Sequence, residues 1–311
     1  MLAGTLTLPD AAPDTLGYPG ALLLPSWLPR TRDGGWDRIA HRGWFAPTPE
    51  PRPGLLARLA EALARHGVAS LRCDPRGCGA SDGAWEEVSL FTRIDDARDM
   101  LAAMRSHGTL DLRRAAIVGH GEGATLALSV AIGDPAISAL TLIGPSARSW
   151  RDVLRRGVAE RTRTGTDLEH PLVSALDRVS EEIVERAERR EPAIRVRVGG
   201  AGTLALQLAG VEQAIHTPPL ALATMLHRSV ALVHGGRDAW SDPDESELLA
   251  AALRDAANHP GRRTLPDAGH ELATADDKAI DEIAADLAAR ITPVELPPVL
   301  MAIEEMRGDV R

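Results

Sequence analysis

Short apolar segments alternate with longer segments of helical periodicity along most of the chain, and this alternation limits the folds open to it. Each apolar segment is nearly continuous in apolar residues. Such runs are typical of strands buried on both faces, and strands that alternate with helices are typical of a parallel sheet. The sequence therefore predicts an α/β fold with a mostly parallel central sheet flanked by helices. The predicted strands are residues 20–26, 68–74, 114–120, 137–145, 229–236 and 262–268.

The regular alternation stops after about Ser146 and resumes near Ser229. The intervening sequence is rich in charged residues, and its apolar residues between Val179 and Ala187 are spaced to form one face of a helix. This pattern predicts an inserted helical cap. We expect a core made of residues 1–146 and 228–311, with the cap or lid at residues 147–227.

The charge balance argues against a nucleic-acid partner. The 311 residues carry a formal net charge of -9, whereas phosphate binding needs a surplus of Lys and Arg on some face. No apolar run approaches the length of a membrane span, and the first residues lack the basic and apolar regions of a secretion signal. We expect a cytoplasmic protein that binds a small-molecule substrate, with neither nucleic acid nor membrane as a partner. The sequence leaves the oligomeric state open and is compatible with a homodimer.

The cysteine content limits the chemistry further. Cys73 and Cys78 are the two cysteines of the chain, too few for a disulfide framework or for a four-ligand structural zinc site. We therefore expect reduced, structural thiols and no metal.

Three glycines at alternate positions, Gly119, Gly121 and Gly123, lie where the third predicted strand gives way to a helix. One interpretation is a dinucleotide-binding turn, which needs an acidic residue at the end of the next strand to hold the ribose. The next predicted strand ends without one, so we expect no nucleotide cofactor.

The other interpretation is a nucleophile elbow of the form G-x-S-x-G, in which small flanking residues allow two chain segments to approach. In that interpretation Gly121 occupies the nucleophile position.

The elbow interpretation requires an acidic residue and then a histidine farther along the chain. Asp238 follows the strand at 229–236, and His270 follows the next strand within "LPDAGHEL". Alone, the aspartate is explained as a helix cap and the histidine as a surface residue. Together, in this order and at consecutive strand ends, they favour a catalytic pair.

These motifs resemble those of the α/β-hydrolase superfamily. The segment "DPRGCGAS", beginning at Asp74, is similar to the D-x-R-G-x-G-x-S motif of that family, and "VGHGEGA" is similar to its G-H-S-x-G elbow. The nearest branch contains serine aminopeptidases, acyl-peptidases and esterase-like proteins with a helical cap. The resemblance implies an α/β-hydrolase fold in which Asp238 orients His270. It also implies oxyanion donors from the backbone N–H of Glu122 and from the backbone near Ser26 or Trp27.

The chain departs from this family at one position, because Gly121 stands where the relatives carry serine. Glycine has no side chain, so no acyl-enzyme can form at residue 121. The missing side chain predicts a vacant nucleophile position with room for a water molecule beside His270. We expect substrate contacts from His120, Trp150 and Trp240.

Three functions remain open. The one we favour is an atypical enzyme acting on a small organic carbonyl compound, such as an ester or amide, without a covalent serine intermediate. Its general base is His270, supported by Asp238, acting on water or on a substrate proton in direct hydrolysis, epimerisation, elimination or cyclisation. The second is a serine esterase or peptidase inactivated by a natural or engineered Ser-to-Gly change at residue 121. The third is a non-catalytic ligand-binding protein on a hydrolase scaffold.

Overall fold

A seven-stranded sheet forms the centre of the molecule in the computed structural model, which describes residues 1–37, 54–165, 171–255 and 260–294. All neighbouring strands of this sheet run parallel except at one edge, where the first strand pairs antiparallel. The strands, in their order across the sheet, are β1 (Gly4–Thr7), β3 (Ala69–Cys73), β2 (Tyr18–Leu24), β4 (Leu110–His120), β5 (Ile137–Ile143), β8 (Ser229–Gly235) and β9 (Gly261–Leu265).

The predicted α/β class and mostly parallel sheet are confirmed. All six predicted strands are present, and the observed bounds differ from the predicted ones by a few residues. The sequence analysis missed β1. Its four residues, GTLT, are exposed or half-buried and sit at the sheet edge, so they carry no continuous apolar run.

Helices cover both faces of the sheet. The helices α1 (Leu55–Arg65) and α10 (Asp277–Arg290) contribute apolar residues to the core on one face. On the other face lie α2 (Leu90–Ser106), α3 (Gly123–Gly133) and α9 (Asp244–Asp255). The two faces of each central strand therefore both pack on apolar side chains, which explains why the strands are continuously apolar. No helix in the described ranges is both long and apolar enough to span a membrane.

The segment between β5 and β8, which we call the insert, is not purely helical as the sequence analysis predicted. It contains a two-stranded antiparallel sheet, in which Ile194 and Val196 of one strand and Leu204 and Leu206 of the other are buried while their neighbours are not. This alternation of apolar and polar residues is the strand signal that the helical prediction passed over. The elements of the insert are α4 (Trp150–Thr164), α5 (Pro171–Arg178), α6 (Ser180–Glu188), β6 (Ala193–Arg197), β7 (Thr203–Gln207), α7 (Ala209–His216) and α8 (Pro219–Ala223).

Candidate active site

The turn between β4 and α3 has the geometry of an elbow. Gly121 has φ +56°, in the left-handed region that favours glycine. A Cβ atom at Gly119 would lie 2.6 Å from the Cα of Ala124, and one at Gly123 would lie 2.8 Å from the carbonyl oxygen of Pro25. These approaches are too close for a side chain, so the two outer glycines allow the strand and the helix to meet in a tight turn.

Asp238 and His270 meet at the carboxyl edge of the sheet, as their positions after β8 and β9 predict. The Nδ1 of His270 lies 2.8 Å from Oδ2 of Asp238. The other carboxylate oxygen, Oδ1, accepts hydrogen bonds from the backbone N–H groups of Trp240 and Ser241, each at 2.8 Å. Both side chains of the pair are buried. The carboxylate is therefore fixed in place and holds the imidazole with Nε2 directed away from it.

Gly144, directly after β5, makes room for this pair. Its φ is +52°, and a Cβ atom there would lie 3.0 Å from Nδ1 of His270 and 3.1 Å from Oδ2 of Asp238. A larger residue would press on the hydrogen bond that joins the two side chains. The sequence analysis missed this residue, although its place immediately after a buried strand was a usable signal.

The electrostatic environment keeps Asp238 ionised and raises the basicity of His270. Burial by itself would raise the pKa of Asp238, but the charge of His270 and the hydrogen bonds from His234 and His270 hold that pKa well below its usual range. Burial lowers the pKa of His270, but the carboxylate of Asp238 outweighs this effect and raises the pKa above its usual value. His270 is consequently a stronger base than a free histidine.

His120 lies behind the Asp238–His270 pair and does not line the cavity, so the prediction that it contacts substrate is corrected. Its buried Nε2 donates a hydrogen bond to the carbonyl oxygen of His270 at 3.0 Å, and the two rings are 4.6 Å apart. Burial lowers the pKa of His120 to about 4, so its ring is neutral at physiological pH. Its position supports the backbone and ring of His270.

A cluster of potential metal ligands adjoins the pair. Ligand atoms of His120, His270 and Glu271 lie within 4.8 Å of one another. However, Nε2 of His120 already donates to a carbonyl oxygen, and Glu271 forms an ion pair with the buried Arg30 at 2.6 Å. The arginine therefore places a positive charge beside the carboxylate of Glu271, whereas Nδ1 of the buried His120 has no hydrogen-bond partner in the described part of the chain.

The space in front of Gly121 is filled, which corrects the prediction of a vacant nucleophile position. A Cβ atom at Gly121 would lie 2.9 Å from the Cβ of Ser26 and 2.9 Å from Nε2 of His270, and Oγ of Ser26 would be closer still. Ser26 follows the end of β2, on the neighbouring strand of the sheet. Its hydroxymethyl group thus takes up the room that the elbow residue leaves.

The backbone around this point can stabilise an oxyanion. Trp27 and Glu122 both line the cavity, and within the described ranges neither backbone N–H donates a hydrogen bond to another backbone or side-chain group. Glu122 also immediately precedes α3, where N–H groups have no partner within the helix. Its side chain forms an ion pair with Arg93 of α2. The structure thus brings Trp27 and Glu122 to the cavity, and their role as oxyanion donors stays a prediction.

The cavity beside His270 is small, with a volume of about 100 Å³, and has tryptophan side chains in its wall. Trp27 and Trp150 are packed edge to face with their ring centres 5.2 Å apart. Trp240 lies on the side of His270, at 6.3 Å between ring centres. The structure therefore brings two of the three predicted substrate contacts, Trp150 and Trp240, to the cavity.

The charged side chains of the cavity wall are paired. In addition to His270, the wall contains Arg30, Glu122, Arg148 and Arg161. Each of these four has an ion-pair partner of opposite charge within the described ranges, so none presents an uncompensated charge to a ligand. The partners are Glu271, Arg93, Glu245 and Asp177, respectively.

The family model for serine aminopeptidases, S33, matches residues 53–277. The chain belongs to the serine aminopeptidase S33 family. The match covers the elbow, Asp238 and His270, and it agrees with the resemblance drawn from the motifs. No curated protein matches this S33-family chain.

Solved structures with the same fold include esterases and peptidases. The ferulic acid complex of Est1E from Butyrivibrio proteoclasticus is 15% identical, with a TM-score of 0.63 over 93% of this chain and 95% of that chain. Acylaminoacyl peptidase from Pyrococcus horikoshii is 12% identical, with a TM-score of 0.61 over 97% of this chain and 42% of that chain. A putative hydrolase from Agrobacterium vitis S4 is 20% identical, with a TM-score of 0.56 over 94% of this chain and 93% of that chain. These similarities establish the α/β-hydrolase fold.

Proposed function

We propose that this S33-family chain hydrolyses a small, neutral ester or amide, with His270 as the general base and Asp238 as its support. The observation that carries the proposal is the buried hydrogen bond of 2.8 Å between the two side chains, at the edge of a cavity. A buried carboxylate that fixes the tautomer of a histidine and raises its basicity is the arrangement that acyl-transfer enzymes use.

The reaction needs no acyl group on residue 121. His270 takes the proton of the attacking hydroxyl group through Nε2 and returns a proton to the leaving group. The N–H groups of Glu122 and Trp27 stabilise the negative charge on the carbonyl oxygen. Membership of a hydrolase family favours hydrolysis over epimerisation, elimination or cyclisation among the reactions open to such a base.

The cavity favours a neutral substrate with an apolar or aromatic acyl group. The charged residues of its wall are compensated, so an ionic substrate gains no partner there, and Trp27, Trp150 and Trp240 offer aromatic surface. Est1E, which shares the fold, binds ferulic acid, an aromatic acid. This parallel supports the inclusion of aromatic acyl esters among the first substrates to test.

We further propose that residues 147–227 act as a cap on a core of residues 1–146 and 228–311. Trp150, Val153 and Leu154 of α4 form one side of the cavity wall, and core residues including Gly121 and His270 form the other. Binding of the acyl group between these two sides gives the insert control over substrate size.

The test is hydrolysis of p-nitrophenyl acetate, butyrate and cinnamate and of neutral aminoacyl anilides by the native chain and by His270→Ala. Loss of the general base is expected to lower kcat/KM by about 10²- to 10⁴-fold. His107→Ala removes an exposed histidine beyond α2 and serves as the matched control, with unchanged rates expected. Equal rates for the native chain and His270→Ala would reject the proposal, and saturable binding of these compounds without turnover would instead support a binding protein.

A further inference from the structure

We propose that Ser26 is the nucleophile of this chain and that it attacks from the loop after β2 instead of from the elbow. The inference deepens the proposed function and rests on it. Ser26 Oγ and His270 Nε2 both lie within 3 Å of the point that a Cβ atom of residue 121 would occupy. The hydroxyl group of Ser26 and the base are thus brought to the place where a family serine at the elbow would meet its histidine.

Neither group is engaged by another hydrogen-bonding partner in the part of the chain that the structure describes. Within the described ranges, the hydroxyl of Ser26 has no hydrogen-bond partner, and Nε2 of His270 has none either, because Asp238 holds the other ring nitrogen. Both residues line the cavity, so a substrate carbonyl can reach them. A rotation of the Ser26 side chain about its Cα–Cβ bond changes the distance from Oγ to Nε2 without any movement of the backbone.

The absence of a side chain at Gly121 is what permits this arrangement. With any Cβ atom at residue 121, the hydroxyl of Ser26 would have to rotate away and the loop that carries Ser26 would have to shift, because Cβ of Ser26 would lie 2.9 Å from the added atom and Oγ closer. Heavy atoms that are not bonded are in favourable contact at about 3.5–4.0 Å. A serine at residue 121 and the observed position of the Ser26 side chain therefore exclude each other.

The chemistry follows the two steps of a covalent hydrolysis. Ser26 Oγ bonds to the carbonyl carbon of the ester or amide while its proton passes to Nε2 of His270. The C–O or C–N bond to the leaving group then breaks, and His270 delivers that proton to the leaving alcohol or amine. Water, deprotonated by His270, attacks the acyl group on Ser26, and the proton returns to Oγ as the acid leaves. This proposal departs from the prediction of the sequence analysis that the reaction proceeds without a covalent serine intermediate.

The first test combines rates with covalent labelling. Ser26→Ala is expected to lower the kcat/KM of His270-dependent ester hydrolysis by at least about 10³-fold, the effect of losing a nucleophile, whereas a residue that only fills space changes it far less. A fluorophosphonate is expected to add to the peptide that contains Ser26, and His270→Ala is expected to abolish the adduct. Ser106→Ala, which alters an exposed serine at the end of α2, is the control for both readouts.

Ser26→Cys provides a test that does not depend on the alanine variant being well folded. A thiol at this place, beside His270, is expected to react with iodoacetamide at neutral pH, and the reaction is expected to slow in the His270→Ala background. Burial raises the pKa of Cys73 to about 11 and that of Cys78 to about 12, so the two native thiols should stay unlabelled.

The outcomes separate the two proposals. Loss of hydrolysis and of the adduct in Ser26→Ala, with His270-dependent alkylation of the Ser26→Cys thiol, supports Ser26 as the nucleophile. Hydrolysis that needs His270 but continues in Ser26→Ala within tenfold, with no adduct on Ser26, would overturn this inference and leave direct attack by water. Hydrolysis that is indifferent to His270→Ala would overturn the proposed function itself.

Discussion

Replacement of Asp238 by asparagine tests the support of His270 while it keeps the shape of the site. In the native chain Oδ1 accepts two backbone hydrogen bonds at 2.8 Å, and Oδ2 accepts from Nδ1 of His270. The amide oxygen of Asp238→Asn can keep the two backbone hydrogen bonds, which leaves the NH₂ group facing Nδ1. Nδ1 must then accept a hydrogen bond, so the proton of the neutral ring moves to Nε2 and the base is lost.

The loss of rate from such a change of tautomer is about 10⁴-fold, which corresponds to about 5 kcal/mol of transition-state stabilisation. The pH dependence of kcat/KM gives a second, independent readout. In the native chain kcat/KM should rise with pH as His270 loses its proton, with a midpoint above about 6.5 because Asp238 raises the pKa of His270. Asp238→Asn removes that charge but not the burial that lowers the pKa, so the midpoint of the residual activity should move to lower pH.

The assay is kcat/KM for the best ester of the panel, measured from about pH 5 to about pH 9, the range in which histidine titrates. Asp267→Asn is the matched control, since Asp267 is an exposed aspartate that pairs with Arg237 beside the same loop. We expect its rate and profile to equal those of the native chain. An Asp238→Asn variant within tenfold of native activity, with an unmoved midpoint, would refute the role assigned to the pair.

Three further predictions concern buried ionic and thiol groups. Arg161→Met leaves Asp177 buried without the ion-pair partner that it has at 2.6 Å, and we expect urea denaturation to show a loss of about 3–5 kcal/mol in the free energy of unfolding. Glu122→Gln removes the carboxylate charge that pairs with the buried Arg93, and we expect a smaller loss in the same measurement, because the amide oxygen can still accept a hydrogen bond and the charge of Asp96 still acts on Arg93. Both native cysteines should resist alkylation at about pH 8 until the chain is unfolded in urea, since burial raises the pKa of each thiol; rapid reaction in the folded state would contradict this.

The parts of the structure that the sequence predicted are those in which a local pattern has one physical meaning. A short, continuous apolar run between helical segments favours a buried strand, and β4, β5 and β8 were found on that basis. Asp238 and His270 could be paired in advance because the carboxyl ends of parallel strands meet at one edge. The alternation in β6 and β7 was readable as well, but the charged residues around it were taken as the polar face of a helix.

The side-chain neighbours of these elements could not be predicted, since they depend on contacts between distant parts of the chain. His120 stands beside the elbow motif, which suggested a substrate contact, yet its orientation within β4 places its ring under His270. The ion pairs that neutralise the cavity join residues far apart in sequence, such as Arg148 and Glu245. No spacing rule identifies such a pair from the sequence of either partner.

The interpretation of Gly121 changes when its contact with Ser26 is taken into account. When the chain is compared with the family motif alone, Gly121 indicates that the nucleophile has been lost. A hydrolase without its nucleophile retains only the rate enhancement that binding and the oxyanion hole supply. In the structure the same glycine is the condition under which the Ser26 side chain can lie next to His270, because a Cβ atom at residue 121 would overlap it. The identity of residue 121 therefore decides which of two neighbouring strand ends can present a hydroxyl to the base. The elbow motif covers only the end of β4. It therefore cannot show whether the nucleophile is missing altogether or is supplied from the end of β2.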